Sequence, residues 1–263
     1  VIKVAKIAVV VLEGALPYIL TALAGFGAAA VNAVAGGGTL ISFSTLLAVG
    51  LPDRIANATN SVALWPGSAT GALGFHKYFG ETKSQLISLL PPTIAGSVLG
   101  SLFLVITSDA AFKTIIPFLI LGATLLLAFQ KRIKNWSAVS GFRLKAWQVA
   151  VLQFLVSFYG GFFGAGIGIM MLAVMSLYEG LDMHRLNSLK NWLAVVINFG
   201  AGAVLFSKGL VDVGFAGALM LGAAFGGYAS ASLAQKVDSE KLRIAVVVYG
   251  LIMVGYMFWR LWA

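Results

Sequence analysis

Two glycine clusters in uncharged apolar sequence, and the polar residues just downstream of each, hold most of the chemistry this chain can offer. Gly36, Gly37 and Gly38 lie in AVNAVAGGGTLISFSTLLAVG, from Ala30 to Gly50. A looser copy, FYGGFFGAGIGIMMLAVMSLYEG, runs from Phe158 to Gly180 with Gly164 and Gly166 in the matching places. Consecutive glycines weaken a helix and leave its backbone amides exposed. In lipid such backbone is tolerated only where it is buried in protein or lines a cavity. A new helix starting at Thr39, and another at Ile167, would present free N–H groups and a positive dipole end. Together these form an anion site that needs no charged side chain. Close packing of crossing helices is the structural alternative for the same glycines.

The following span opens with Asn57-Ala58-Thr59-Asn60-Ser61 in one copy and Asn187-Ser188-Leu189-Lys190-Asn191 in the other. Asn57 and Asn187 are of helix-capping type. Asn60, Ser61, Lys190 and Asn191 lie deeper in apolar sequence and could supply hydrogen bonds, with Lys190 adding one positive charge. For Lys190 the competing reading is a side chain that snorkels to the interface. Trp65 and Trp192 follow on these spans and read as core packing. Glu13 is an acid inside an apolar run and a candidate for proton coupling, against a simple interfacial placement. Asn32, Ser42 and Ser44 flank the first cluster and could face the same cavity. His76 beside Lys77 and His184 beside Arg185 read as surface histidines.

Reaction machinery is absent. The chain has no HExxH, no nucleophile elbow, no phosphate-binding P-loop and no paired carboxylates in apolar sequence. The absence of cysteine excludes disulfides, thiolate catalysis and Cys-ligated metal. The reading is a non-enzyme with no cofactor and no metal site.

The elements that must position these residues follow from composition. The 263 residues are 60% hydrophobic and only 10% charged, with mean hydropathy +0.95. Soluble domains carry about 25% charged residues. Uncharged runs reach 39 residues, from Gly14 to Pro52. The fold class is therefore an all-α polytopic membrane protein, with lipid as its surroundings. The net charge of +9 gathers in short loops, which speaks for topology rather than for nucleic acid. Lys3, Lys6 and the apolar run after them imitate a signal peptide, but removing this span would break the pairing of the two halves.

The charged residues divide the chain into two series, residues 1–131 and 146–263, joined by a basic linker over 132–145. Gly36 and Gly38 match Gly164 and Gly166, and GLPDRIAN (Gly50 to Asn57) matches GLDMHRLN (Gly180 to Asn187). Two homologous halves with a site at their interface is the transporter plan. The run from Ala146 to Tyr178 is 33 residues, about 50 Å as helix against a hydrocarbon core of about 30 Å. One crossing plus a half-length, re-entrant or broken segment fits that length. Each half then has about four transmembrane helices plus a half-length helix, which gives eight crossings with both halves in one orientation. Positive-inside charge then puts both termini on the cytoplasmic side. Five full crossings per half would invert the repeat instead. Pro17, Pro66 and Pro117 are expected to kink spans, and Pro91-Pro92 to break one.

AVAGGGTLISFSTLLAVGLPDRIANATNS resembles the signature of the sulfite exporter TauE/SafE family, also called TSUP, and GGFFGAGIGIMMLAVMSLYEGLDMHRLNSLKN resembles its weaker second copy. The resemblance covers nearly the whole chain. It implies a transporter of the bacterial inner membrane that moves sulfite or an organosulfonate. Ala35 and Thr39 stand where many members carry a fourth glycine, a departure that bears on pocket size.

The reading from residues and resemblance together is a secondary transporter with a small sulfur-containing anion as substrate. Its binding set is Gly36, Gly37, Gly38, Thr39, Asn60, Ser61, Gly164, Gly166, Lys190 and Asn191. A passive small-anion channel, a carboxylate transporter, and a membrane enzyme or assembly subunit are the alternatives. A homodimer is left open.

Overall fold

The computed structural model describes residues 2–34, 37–139, 144–177, 182–233 and 239–262, all of them helix, turn or connecting loop. The helices are α1 (Ile2–Val34), α2 (Thr39–Ala48), α3 (Asp53–Ala63), α4 (Trp65–Gly74), α5 (Phe79–Ile106), α6 (Asp109–Val139), α7 (Ala146–Phe162), α8 (Ile167–Ser176), α9 (Met183–Ser207), α10 (Val213–Leu233) and α11 (Ser239–Trp262). Among the described residues, six helical segments are long and apolar enough to cross a membrane. They lie on α1, α5, α6, α9, α10 and α11, the one on α5 including the 3-10 turn His76–Tyr78. The chain is a polytopic helical membrane protein. Each series holds a longer helix and a half-length helix around its glycine break, then three further helical passes; in the first series one of these is the broken pair α3–α4.

Local sequence explains the interruptions. Gly37 at φ +82° and Gly166 at φ +79° occupy left-handed conformations that side chains rarely adopt. At Gly38 a β-carbon would fall 2.1 Å from the Ala28 carbonyl oxygen, so after the break the chain folds back against α1. The α3–α4 break falls at Leu64, and Pro66 follows in the first turn of α4, where its missing N–H is no loss. Pro91-Pro92 does not act as expected: α5 runs unbroken through both. Packing against α7 and α9 holds it, as neighbouring helices do for prolines in membrane spans.

Helix directions come from the contacts. Tyr18 stacks on Phe215, and β-carbons at Gly222 and Gly226 would strike the carbonyls of Ala22 and Phe26, so α1 and α10 run parallel. The Asp212 amide meets the Thr59 hydroxyl and Thr70 bonds the Ala224 carbonyl, so α3–α4 runs in that direction too. In the other series, Gly96 and Gly100 press on the carbonyls of Phe154 and Phe158. Tyr78 stacks on His184 while Gly200 meets Ser97. Helices α5, α7 and α9 therefore share one direction. It is opposite to that of α4, because Gly71 neighbours Asn191 while Asn198 bonds Ser68.

The two series thus enter from opposite ends of the bundle, not in the common orientation expected. The physical reason is the half-length helices. Because α2 turns back along α1 and α8 turns back along α7, each pair is a hairpin that leaves at the end where it entered. Hydropathy and charge spacing are the same for either parity, and only the backbone contacts decide it.

One end of the bundle carries the start of α3, the α5–α6 turn and the last turn of α11. There Arg260 pairs with Asp53, and Arg54 Nε lies 2.7 Å from Asp109. The opposite end carries the starts of α5, α7, α9 and α11, with Arg185 paired to Glu81 and Lys131 to Glu240. Between them, Phe43, Leu46, Phe112, Ile116, Ile120 and Phe163 pack into a core around the two hairpins.

Candidate functional site

The polar centre forms where the tips of the hairpins meet α3–α4 and α9. Asn32, in the last turns of α1, accepts the Gly38 amide on Oδ1 at 2.8 Å and donates through Nδ2 to Thr39 Oγ1 at 3.3 Å. This clamp fixes the start of α2. The second tip is tied by Asn57, whose Nδ2 donates to the Phe162 carbonyl at 2.8 Å, and by Tyr159, whose hydroxyl donates to the Ala165 carbonyl at 2.8 Å.

Between the tips lies a cavity of about 50 Å³, lined by Thr39 and Asn32, by Ser61, Leu64 and Ser68, by Gly164, Gly166, Ile167 and Gly168, and by Lys190, Asn191, Ala194 and Asn198. A buried water needs about 10–15 Å³, so the space suits a ligand of a few heavy atoms. A smaller cavity of about 20 Å³ adjoins it, sharing Asn32, Leu64, Ser68 and Asn191 and continuing to Gly67 and Gly71.

Lys190 is 4% exposed and Asn191 6%. The Lys190 stem lies against Gly168, where a β-carbon would stand 3.6 Å from Cδ. Among the described residues Lys190 has no ion-pair partner, and the Asn191 amide nitrogen is buried without an acceptor. The first described hydrogen bond from an α8 amide is Ile169 to Gly166. The Ile167 and Gly168 amides therefore stand open at the positive end of that helix. One buried cation, one unused amide donor and a helix N-terminus converge on a space bordered by no carboxylate among the described residues. An anion fits that set, and a cation does not.

The residues predicted from sequence divide as follows. Thr39, Ser61, Gly164, Gly166, Lys190 and Asn191 line the cavity together. Gly37 faces Leu127 and Val246 instead, and Gly38 faces Ala28; both shape the hairpin rather than the cavity wall. Asn60 is buried behind Thr39, its Nδ2 3.5 Å from the Thr39 carbonyl. Gly36 and the Glu13 side chain lie outside the described residues. Ser42 and Ser44 bond back to α2 carbonyls, and Ser44 also meets Tyr249. Trp65 packs on Phe199 and Trp192 on Phe79.

Ser68, Asn198 and Gly168 were missed. The signal for the first two was present: Ser61, Leu64 and Ser68 repeat the i, i+3, i+7 spacing of Asn191, Ala194 and Asn198, which share one face of α9 and, in the first series, span the α3–α4 break.

The TauE family model, described as sulfite exporter TauE/SafE, matches residues 21–257. The chain belongs to the sulfite exporter TauE/SafE family. Among its relatives is a "Probable membrane transporter protein" of Haemophilus influenzae, 29% identical over 236 residues that cover 89% of this chain and 91% of the relative. The "Probable membrane transporter protein ORF9" of a Sinorhizobium species is 26% identical over 72% of this chain and 75% of its own length. The "Probable membrane transporter protein YfcA" of Escherichia coli K12 is 24% identical over 90% and 86%. No solved structure gives a significant match. Membership of this family makes the chain a membrane transporter protein.

Proposed function

We propose that this TauE/SafE family member is a secondary transporter, not an enzyme, that carries a small anion through the cavity between Thr39 and Gly166. Sulfite is the first candidate, from the family's description, and organosulfonates are the second, from the resemblance of the glycine motifs. The observation that carries the reading is Lys190, a buried cation with no partner among the described residues, facing open α8 amides. A lone charge inside a membrane protein is costly unless it has a function or a ligand. The inverted course of the two series suits alternating access, in which one hairpin and its neighbours rock against the other around a fixed site.

Orientation follows from the side chains at each end. Lys77, Lys83, Lys131, Arg132, Lys145, Arg185, Lys241 and Arg243 gather at the end where α6 finishes and α7 starts, the linker end. Arg54, Lys113, Lys208 and Arg260 lie at the other. The positive-inside tendency then makes the linker end cytoplasmic in a bacterial inner membrane. The outer ends of α1 and α11 then face away from the cytoplasm, unlike the placement expected from sequence. The hairpins return each series to the end where it entered, which puts Lys208 and Arg260 at the end opposite the close of α6 and the start of α7.

The test is counterflow in proteoliposomes with labelled sulfite, methanesulfonate and acetate. A transporter accelerates uptake when unlabelled substrate is inside, whereas a channel does not. Vesicles that move none of these anions would sink the reading.

A further inference from the structure

The charge balance of the cavity says more about its ligand than its donors do. Among the described residues, every element that lines the cavity with Lys190 presents neutral groups to it: Asn32 from α1, Thr39 from α2, Ser61 and Ser68 from α3–α4, Ile167 and Gly168 from α8, and Asn191 and Asn198 from α9. None is titratable. Of the described acids, Asp53, Asp109, Glu81, Asp182 and Glu240 sit at the bundle ends in ion pairs of their own, and Asp212 accepts the Phe215 amide at the start of α10. Lys190 is thus the one fixed charge among the described residues of the lining.

From this we infer that the site is built for a monoanion and that the protein works as an anion exchanger. The inference rests on reading the cavity as the transport site. A ligand with one negative charge cancels Lys190 and leaves the loaded cavity neutral. A dianion leaves an uncompensated negative charge in surroundings of low dielectric, and the cavity is too small to keep water around it. The same arithmetic governs the return step. An empty cavity holds an unmatched cation, and rearranging the protein around it in that state carries the cost of a lone lysine in the membrane. A cavity refilled by another monoanion returns neutral. Exchange is therefore faster than net movement.

Proteoliposomes test both halves of the inference. Labelled methanesulfonate is offered to vesicles that contain either unlabelled methanesulfonate or only an impermeant zwitterionic buffer. Uptake is expected to be about tenfold or more faster into the loaded vesicles, the rate equivalent of a modest part of the lone-lysine cost. Methanedisulfonate, with the same group twice, is expected to compete at least about tenfold more weakly than methanesulfonate. Lys190→Arg keeps the dependence on internal anion. Lys190→Met loses most binding, and the flux that remains no longer depends on internal anion.

Equal uptake into loaded and anion-free vesicles overturns exchange, including the case where Lys190 releases its proton and the anion moves with it. Equal competition by the disulfonate overturns the monoanion assignment. Equal competition leaves the transporter reading standing; equal uptake leaves standing only that small anions pass through the cavity, as a channel or a proton-coupled carrier would move them. Failure of every anion to move, in protein shown to be folded by its melting transition, overturns the transport reading along with the inference.

Discussion

Asn57, on α3 of the first series, donates through Nδ2 to the carbonyl of Phe162, the last residue of α7 in the second series, at 2.8 Å. A helix-end carbonyl has no partner within its own helix, and here the other series supplies it. Asn57 is 1% exposed, so neither group can turn to water instead. The bond holds the second hairpin tip against the span that also carries Ser61.

Replacing Asn57 with Leu should therefore cost about 1–3 kcal/mol, the penalty for leaving a buried acceptor unmet. It should appear as a lower melting temperature in detergent. Tyr159→Phe removes a similar bond to the Ala165 carbonyl and should cost about 1 kcal/mol. A wild-type melting temperature for both variants would show that the second tip needs neither tie.

Lys190→Ala should weaken binding of a small anion by about ten- to hundredfold, as expected for one charge-assisted contact, measured by thermal shift or calorimetry. Asn191→Leu should cost less, about tenfold, because it removes a neutral donor. Asn60→Ala, behind Thr39, should change affinity little and stability more. Were Asn60→Ala to abolish binding while Lys190→Ala did not, the cavity as described would be the wrong site.

How much of this was legible in the sequence depended on contrast. Three glycines in a row, or a lysine and two asparagines, stand out against uncharged apolar runs, so the breaks and Lys190, Asn191 and Ser61 were readable. Asn60 was equally conspicuous, but one residue turns a helix by about 100°, enough to carry it from the cavity wall to the space behind Thr39. Ser68 and Asn198 are single polar residues among Gly and Ala, and only their shared spacing with Ser61 and Asn191 marks them. The direction of the halves was not readable. A half-length segment can continue across or fold back, and the choice is made by contacts such as Gly38 on Ala28 that no periodicity encodes.

The tightness of the first hairpin gives a paired test. Gly38→Ala should destabilise by about 1–3 kcal/mol, because the new methyl meets the Ala28 carbonyl and overpacking at backbone has no cheap relief. Gly122 on α6 has nothing within 4 Å of a β-carbon. Gly122→Ala should be neutral or stabilising by up to about 1 kcal/mol, through helix propensity. Melting temperatures that move in the same direction would contradict the folded-back course of α2.

Asp182 caps α9 at its exposed start, accepting the amides of Arg185 and His184 at 3.0 and 2.9 Å. The Arg185 backbone bond, above all, lowers its pKa below the ordinary carboxylate value. A carboxylate depressed in the folded state adds stability that is fully present above its unfolded pKa, about 3.9. That stability is lost as pH falls through the lower folded value. Asp182→Asn keeps a capping oxygen but cannot titrate. Its melting temperature should therefore fall less than the wild type's as pH is lowered from about 4. Parallel acid profiles for the two proteins would remove this role.

The pair between Asp53 and Arg260 joins the start of α3 to the last turn of α11, and its two members should not be equivalent. Asp53 is 8% exposed, whereas the Arg260 side chain is 38% exposed. Arg260→Gln strands a buried carboxylate, which should cost about 1–3 kcal/mol. Asp53→Asn leaves a guanidinium that can reach water, and should cost less than about 1 kcal/mol. The double variant should then resemble Asp53→Asn alone, because no buried charge remains to be stranded. Melting temperatures of the four proteins in one detergent decide it. The asymmetry follows from where each group sits rather than from the strength of the pair. Equal losses for the two single variants, with a double variant that sums them, would mean that Asp53 is hydrated at this end of the bundle and that α3 is held to α11 by other contacts.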